Sequence, residues 1–153
     1  VQTIINMQRI IDSTETEQYL YYKGNPPMEN SPSYLPESIC YSAVRLAEQV
    51  NAAAIVSLTY SGFTPIKISS YRPKAPIFTF TMNDNLISDL SLVWGIRAFF
   101  FGECENVNDY VAYTEEFLVS RNLLKKGDLV VHVGSIPILS NGKTNMLKLS
   151  RVS

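Results

Sequence analysis

The hydrophobic pattern of the chain predicts an α/β fold: a three-layer αβα sandwich with a mostly parallel five-stranded sheet and an antiparallel edge strand. Three observations predict it. Short apolar runs of strand length, at 53–58, 77–81, 96–101 and 129–133, alternate with amphipathic helical stretches. The run Ala53 to Leu58 is apolar at every position but Ser57, as expected for a parallel strand covered on both faces. The last strand-like segment, 145–152, follows the fourth run after a loop too short for a crossover helix, so it must return antiparallel, at an edge.

The chain has 153 residues, 46% of them hydrophobic, enough for one domain with its own core. No apolar run approaches the ~18 residues of a membrane span. A net charge of −1, with basic residues scattered, supplies no field to attract nucleic acid. Cys40 and Cys104 lie far apart with no metal or redox spacing, so reduced thiols and a cytoplasmic setting are expected. Val1 opens directly on an amphipathic pattern rather than a signal peptide, and the absent initiator Met points to a fragment or processed chain.

Element by element, Val1, Ile4, Ile5, Met7, Ile10 and Ile11 recur at helical spacing and predict an amphipathic helix over 1–18. Residues 19–36, with Gly24, Pro26, Pro27 and Pro32, read as an irregular connection, and 37–153 as the α/β domain. A second helix over about 36–50 carries Ile39, Ala43, Leu46, Ala47 and Val50 on one stripe. After the first strand comes a short helix from Pro65 to about Ser70, ended ahead of Arg72-Pro73. The second strand, 77–81, leads to a helix from Asp84 to about Val93 with Asp84 as its cap. The third strand, 96–101, is bounded by Gly95 and Gly102, with Phe99 to Phe101 assigned to the core and Trp94 to core or interface. Asn106 or Asn108 starts a helix to about Arg121, and a Lys-Lys-Gly-Asp turn introduces the fourth strand, 129–133.

The stretch from Leu58 to Pro73 carries the chemistry. Thr59, Tyr60, Ser61, Gly62 and Phe63 form a polar turn, and Thr64-Pro65 reads as a helix start with Thr64 as N-cap and Pro65 first in the helix. A strand, a tight turn and a helix N-terminus make an anion site. Backbone N–H groups point outward, and the hydroxyls of Thr59, Ser61 and Thr64 add donors for a small phosphate-bearing ligand. The plainer alternative is a capped βα turn that binds nothing. No catalytic constellation accompanies it. His132, the sole histidine, sits in an apolar strand and reads as structural; Glu103 and Glu105 flank Cys104 in a solvated loop. There is no Walker loop, no G-x-G-x-x-G, no metal cluster and no pair of carboxylates placed for acid–base work.

Three blocks resemble one family. Thr59-Tyr60-Ser61-Gly62-Phe63-Thr64, followed by Ser69-Ser70-Tyr71-Arg72-Pro73-Lys74-Ala75-Pro76-Ile77, is similar to the T-x-S-G-x-T loop and Y-R-P-x-x-P-I turn of pyruvate kinase C-terminal domains. Leu123 to Val131 resembles their L-x-K-K-G-D-x-V-V, and Gly142 to Leu149 their G-x-T-N-x-x-K-V ending. The resemblance implies the regulatory and oligomerisation domain of a glycolytic enzyme that transfers phosphate from phosphoenolpyruvate to ADP. Its catalytic site, with magnesium and potassium ions, lies in a separate barrel, so no catalytic residue and no cofactor are expected in this stretch. The first helix would then lie near the junction with that barrel; docking on its own domain is the alternative. The implied effector loop is Thr59, Tyr60, Ser61, Gly62, Phe63 and Thr64. Lys143 in the late loop is a candidate second contact, with a solvated turn lysine as its plainer role.

Two departures from the bisphosphate-binding members stand out. The region where those of fungal and animal type use a Trp and an Arg has Glu103, Glu105, Asp109 and Tyr110 here. The late loop, Gly134 to Gly142, resembles the bacterial and plant style. A sugar monophosphate or nucleotide monophosphate, or no effector, is therefore favoured over fructose 1,6-bisphosphate. Self-association, through the helix at 84–93 and the last strand, is the second implied role, the parent enzyme being a homotetramer. Neither nucleic acid nor membrane is expected as a partner. A stand-alone effector-binding or scaffold module, and a small α/β enzyme using Ser61, are the rival readings.

Overall fold

A computed structural model describes residues 1–102, 106–136 and 143–153. The elements run α1 (Gln2–Glu15), a short 3-10 turn (Gln18–Leu20), α2 (Tyr34–Gln49), β1 (Ala54–Leu58), α3 (Phe63–Ser70), β2 (Ile77–Thr81), α4 (Asp84–Leu90), β3 (Ile96–Phe100), α5 (Val107–Ser120), β4 (Leu129–Gly134) and β5 (Met146–Arg151). The five strands form one sheet in the order β3-β2-β1-β4-β5. All neighbouring pairs are parallel except β4 with β5, where Leu129 faces Arg151 and Gly134 faces Met146. The predicted α/β class, with its antiparallel edge strand, is what the chain adopts.

Side-chain alternation along the strands sorts residues onto two faces. Ile55, Ile77, Ile96, Val131 and Val133 meet Cys40, Ala43, Val44 and Ala47 of α2, Ile68 of α3 and Leu90 of α4. Ala54, Val56, Phe78, Phe80 and Val130 meet Tyr110, Val111 and Leu118 of α5. The winding explains why, among the described helices, α5 alone covers the second face. The chain steps outward from β1 to β2 to β3, then returns past β1 to β4. Crossovers keep one hand, so reversing the direction of travel moves the helix to the opposite face. Burial pushes the Cys40 thiol up to about 12, so it sits neutral as a small apolar group in the first layer.

Several helix starts differ from the sequence expectation. α2 begins at Tyr34 because Pro36, in the first turn, gives up an N–H that has no intrahelical partner there. Thr64 is not the cap of α3: Gly62 takes the left-handed conformation (φ 85°) as N-cap, and Thr64 and Pro65 fall in the first turn. Asn83, not Asp84, caps α4, accepting from the Asn85 N–H at 3.1 Å, and the helix ends at Leu90 rather than Val93. Asn106 caps α5, accepting from the N–H groups of Asn108 and Asp109 at 3.0 Å each. Of the three phenylalanines at the end of the predicted third strand, Phe101, just past β3, is buried and Phe99 partly so, but Phe100 is 52% exposed because strand alternation turns it outward. Trp94 is half-buried, with the Arg72 guanidinium 4.6 Å above its ring and Tyr21 beside it.

α1 is a well-formed helix with no buried residue. Its apolar side chains stay in solvent, Ile4 at 71% and Ile10 at 66% exposure. The stretch that follows is tied down: the Tyr22 N–H donates to the Arg72 carbonyl at 2.9 Å, and Gly24 (φ 95°) lies against the Tyr71 ring, where a Cβ would come within 2.9 Å of a ring carbon.

Candidate functional site

Strand β1 delivers the 59–64 loop to the carboxyl edge of the sheet. The Thr59 N–H still donates to the Phe80 carbonyl at 3.0 Å, so the chain leaves the ladder only after Thr59. β1 has β2 on one side and β4 on the other, and the direction of winding reverses between them. The strand ends at such a reversal are the usual ligand position in open α/β sheets. The sequence reading placed a phosphate turn here without seeing that it lies at the switch point, because strand order is not written in a local pattern.

Within the loop, the Gly62 N–H donates to Thr59 Oγ1 at 2.9 Å, which closes the turn. A Cβ on Gly62 would sit 2.9 Å from Leu86 Cδ1, so α4 packs directly over the turn. The first intrahelical bond of α3 runs from the Ile66 N–H to the Gly62 carbonyl at 3.2 Å. The N–H groups of Phe63 and Thr64 precede it, and Pro65 has none, so the helix start offers two backbone donors. Tyr60 and Ser61 are exposed, and Phe63 is partly so.

The three predicted hydroxyls have different fates. Ser61 is free to meet solvent. Thr59, buried, accepts from Gly62. Thr64, also buried, bonds Thr144 Oγ1 at 2.6 Å, across 80 residues of chain. This contact brings the start of the 143–145 segment to the 59–64 turn and sets the backbone of exposed Lys143, one residue earlier, beside it. Asn145 fastens the same loop at its base: its side chain accepts from the Ile136 N–H at 2.7 Å and donates to the Ile136 carbonyl at 2.9 Å. Glu103, Cys104, Glu105 and the stretch 137–142 lie outside the described residues. Asp109 accepts from the Asn106 side chain at 2.7 Å at the start of α5, and Tyr110 is buried in the α5 layer.

His132 is fully buried, and the sequence reading missed its partners. Its Nε2 lies 3.3 Å from Glu115 Oε1 and 3.0 Å from Ser150 Oγ, and Ser150 Oγ donates to Glu115 Oε1 at 2.5 Å. The signal was present: Glu115 shares the buried stripe of α5 with Val111 and Leu118, where a carboxylate needs a partner. The hydrogen bond with His132, then that from Ser150, holds the Glu115 carboxyl below its ordinary 4.5 against the opposing effect of burial. Both groups approach the same ring nitrogen, so the three residues tie α5, β4 and β5 together rather than forming a nucleophile–base relay. Among the described residues no cluster of three or more His, Cys, Asp or Glu could hold a metal ion. No helix among the described residues is long and apolar enough to cross a membrane.

The family model described as "Pyruvate kinase, alpha/beta domain" matches residues 37–150. The chain belongs to this pyruvate kinase family. A pyruvate kinase of Geobacillus stearothermophilus is 31% identical over 155 residues, covering 100% of this chain and 26% of that protein. One from Lactobacillus delbrueckii subsp. bulgaricus is 28% identical, covering 95% of this chain and 24% of the relative. Among solved structures, Cryptosporidium parvum pyruvate kinase in complex with ADP superposes with a TM-score of 0.72 at 25% identity, over 85% of this chain and 25% of that one. The chain thus spans about a quarter of the length of these pyruvate kinases, in the stretch corresponding to their alpha/beta domain.

Proposed function

We propose that this chain is the regulatory and assembly domain of a pyruvate kinase, and that the 59–64 loop holds the phosphate of an allosteric effector. The observation that carries the reading is the place of the loop: a Gly-turned helix start, with two helix N–H donors and the exposed Ser61, at the carboxyl end of β1 where the winding reverses. Thr59 and Thr64 shape the turn, Gly62 closes it by donating to Thr59, and the N–H groups of Tyr60, Ser61 and Phe63 supply donors. Lys143 approaches from the late loop. A single phosphate suits this arrangement, so the effector is a sugar monophosphate or nucleotide monophosphate. Phosphoryl transfer from phosphoenolpyruvate to ADP, with its magnesium and potassium ions, belongs to a barrel in the rest of a cytoplasmic enzyme. α1, whose apolar face no described residue buries, leads toward that barrel. Self-association runs through α4 and β5 in a homotetrameric parent.

Calorimetric titration with inorganic phosphate, sugar monophosphates, AMP and fructose 1,6-bisphosphate tests the effector site. Saturable heat is expected with a monophosphate. Ser61→Asp, which sets a carboxylate among the donors, should weaken it at least 10-fold, since a charge-assisted hydrogen bond is worth roughly 1.5–3 kcal/mol. Silence across the panel, or equal binding by the variant, would remove the effector role and leave assembly.

A further inference from the structure

We propose that the Thr64–Thr144 hydroxyl pair is a latch that couples the 59–64 loop to the edge strand β5. The consequence for regulation rests on reading that loop as the effector site; the coupling itself does not. The two hydroxyls meet at 2.6 Å, and the residues are 5% and 7% exposed, so water does not compete for the bond. The surrounding groups are otherwise committed. Asn145 spends its side chain on Ile136 and its N–H on the Gly134 carbonyl at 3.0 Å. Among the described residues of this segment Thr144 bonds across to α3, and β5 begins two positions later at Met146.

The strand ends leave little slack. A Cβ on Gly134 would lie 3.4 Å from Met146 Cε and 3.5 Å from Leu58 Cβ, so the ends of β1, β4 and β5 are packed together. Two hydroxyls share one bond with a proton to spare, which makes the pair switchable. A phosphate oxygen at the helix start is a stronger acceptor than a hydroxyl, and a Thr64 proton that turns toward it leaves Thr144 as the donor of the pair. That gives two discrete arrangements of one buried contact, and a ligand that prefers one shifts the other end of the latch with it. The end that moves is the lead-in to β5, the strand that closes this side of the sheet.

Hydrogen exchange read by mass spectrometry on the full chain tests the latch, with Thr144→Val as the isosteric break and Thr144→Ser as the hydroxyl-keeping control. Without ligand, Thr144→Val should speed exchange about 5-fold in both the hydrogen-bonded α3 amides from Ile66 onward and the start of β5, as loss of one net hydrogen bond implies, and Thr144→Ser should restore both. Acceleration confined to one segment, or none, would overturn the coupling. Should Thr144→Val fail to fold, Thr64→Ser and Thr64→Val, measured the same way, pose the question from the other side: both segments protected in Ser and loosened in Val supports the latch, and one segment alone sinks it. With inorganic phosphate added, wild-type protein should change exchange in β5 while Thr144→Val binds phosphate without that change. Absence of phosphate binding by wild type would fell the effector reading, with the ligand-free exchange still deciding the latch.

Discussion

At Gly62 the backbone holds φ 85°, and the missing Cβ makes room for Leu86. Both demands fall on one residue, so Gly62→Ala should cost about 1–2 kcal/mol, read from the urea midpoint. In a Leu86→Ala background the cost should shrink toward the conformational part alone, since the close approach is gone. Glu115 makes a second prediction at this scale. Its carboxyl titrates below the ordinary 4.5 in the folded state, so its ionisation favours folding. That contribution is complete above about pH 4.5 and is lost as pH falls through the lower folded value. The stability difference between wild type and Glu115→Gln should therefore be widest near neutrality and narrow on acidification below pH 4.5; His132, Ser150 and Lys148 are the groups that face it. A difference that stayed flat from pH 7 to pH 3 would mean the carboxylate is not held by its partners. Of the site, the turn composition was legible along the chain. The use of the Thr64 hydroxyl was not, because its partner is 80 residues away.

Among the elements, α1 and β1 make opposite uses of apolar residues. Ile55 is fully buried between layers, and Ile55→Ala should cost roughly 2–5 kcal/mol. Ile4 and Ile11 lie 71% and 46% exposed on α1, so Ile4→Lys with Ile11→Lys should move stability of this chain by less than about 0.5 kcal/mol. Paired urea titrations check both. A large loss from the α1 pair would show that the helix docks on its own domain, the alternative that amphipathic spacing left open. Helical periodicity announces an apolar stripe without saying what covers it, which is why the sequence could define this helix and not its partner. The same limit applies to α3, whose start moved to Phe63 once Gly62, rather than Thr64, turned the chain.

For the whole molecule, the order β3-β2-β1-β4-β5 leaves two sheet edges, at β3 and at β5. Edge strands present unpaired backbone groups, and β5 carries Leu149 at 42% exposure. If β5 carries self-association, sedimentation velocity at micromolar concentration should show an oligomer that Leu149→Lys shifts to monomer. A wild-type chain that stays monomeric at all concentrations would assign assembly to other parts of the parent protein. The isologous geometry of a two-fold contact would place the same residues on both sides.

The sequence by itself determined the α/β class, the parallel core strands, the returning edge strand and the polar turn at 59–64, since each is set by residues close together along the chain. Continuous apolar runs, helical spacing and a Gly-containing turn act over a few residues, and their physics is local. Only the tertiary structure decided that the turn stands at the reversal of winding, that Thr64 closes on Thr144, and that His132 is tied to Glu115 and Ser150. Each of those depends on which strands become neighbours, a choice made by burying two faces of one sheet at once, and no local stretch of sequence contains it.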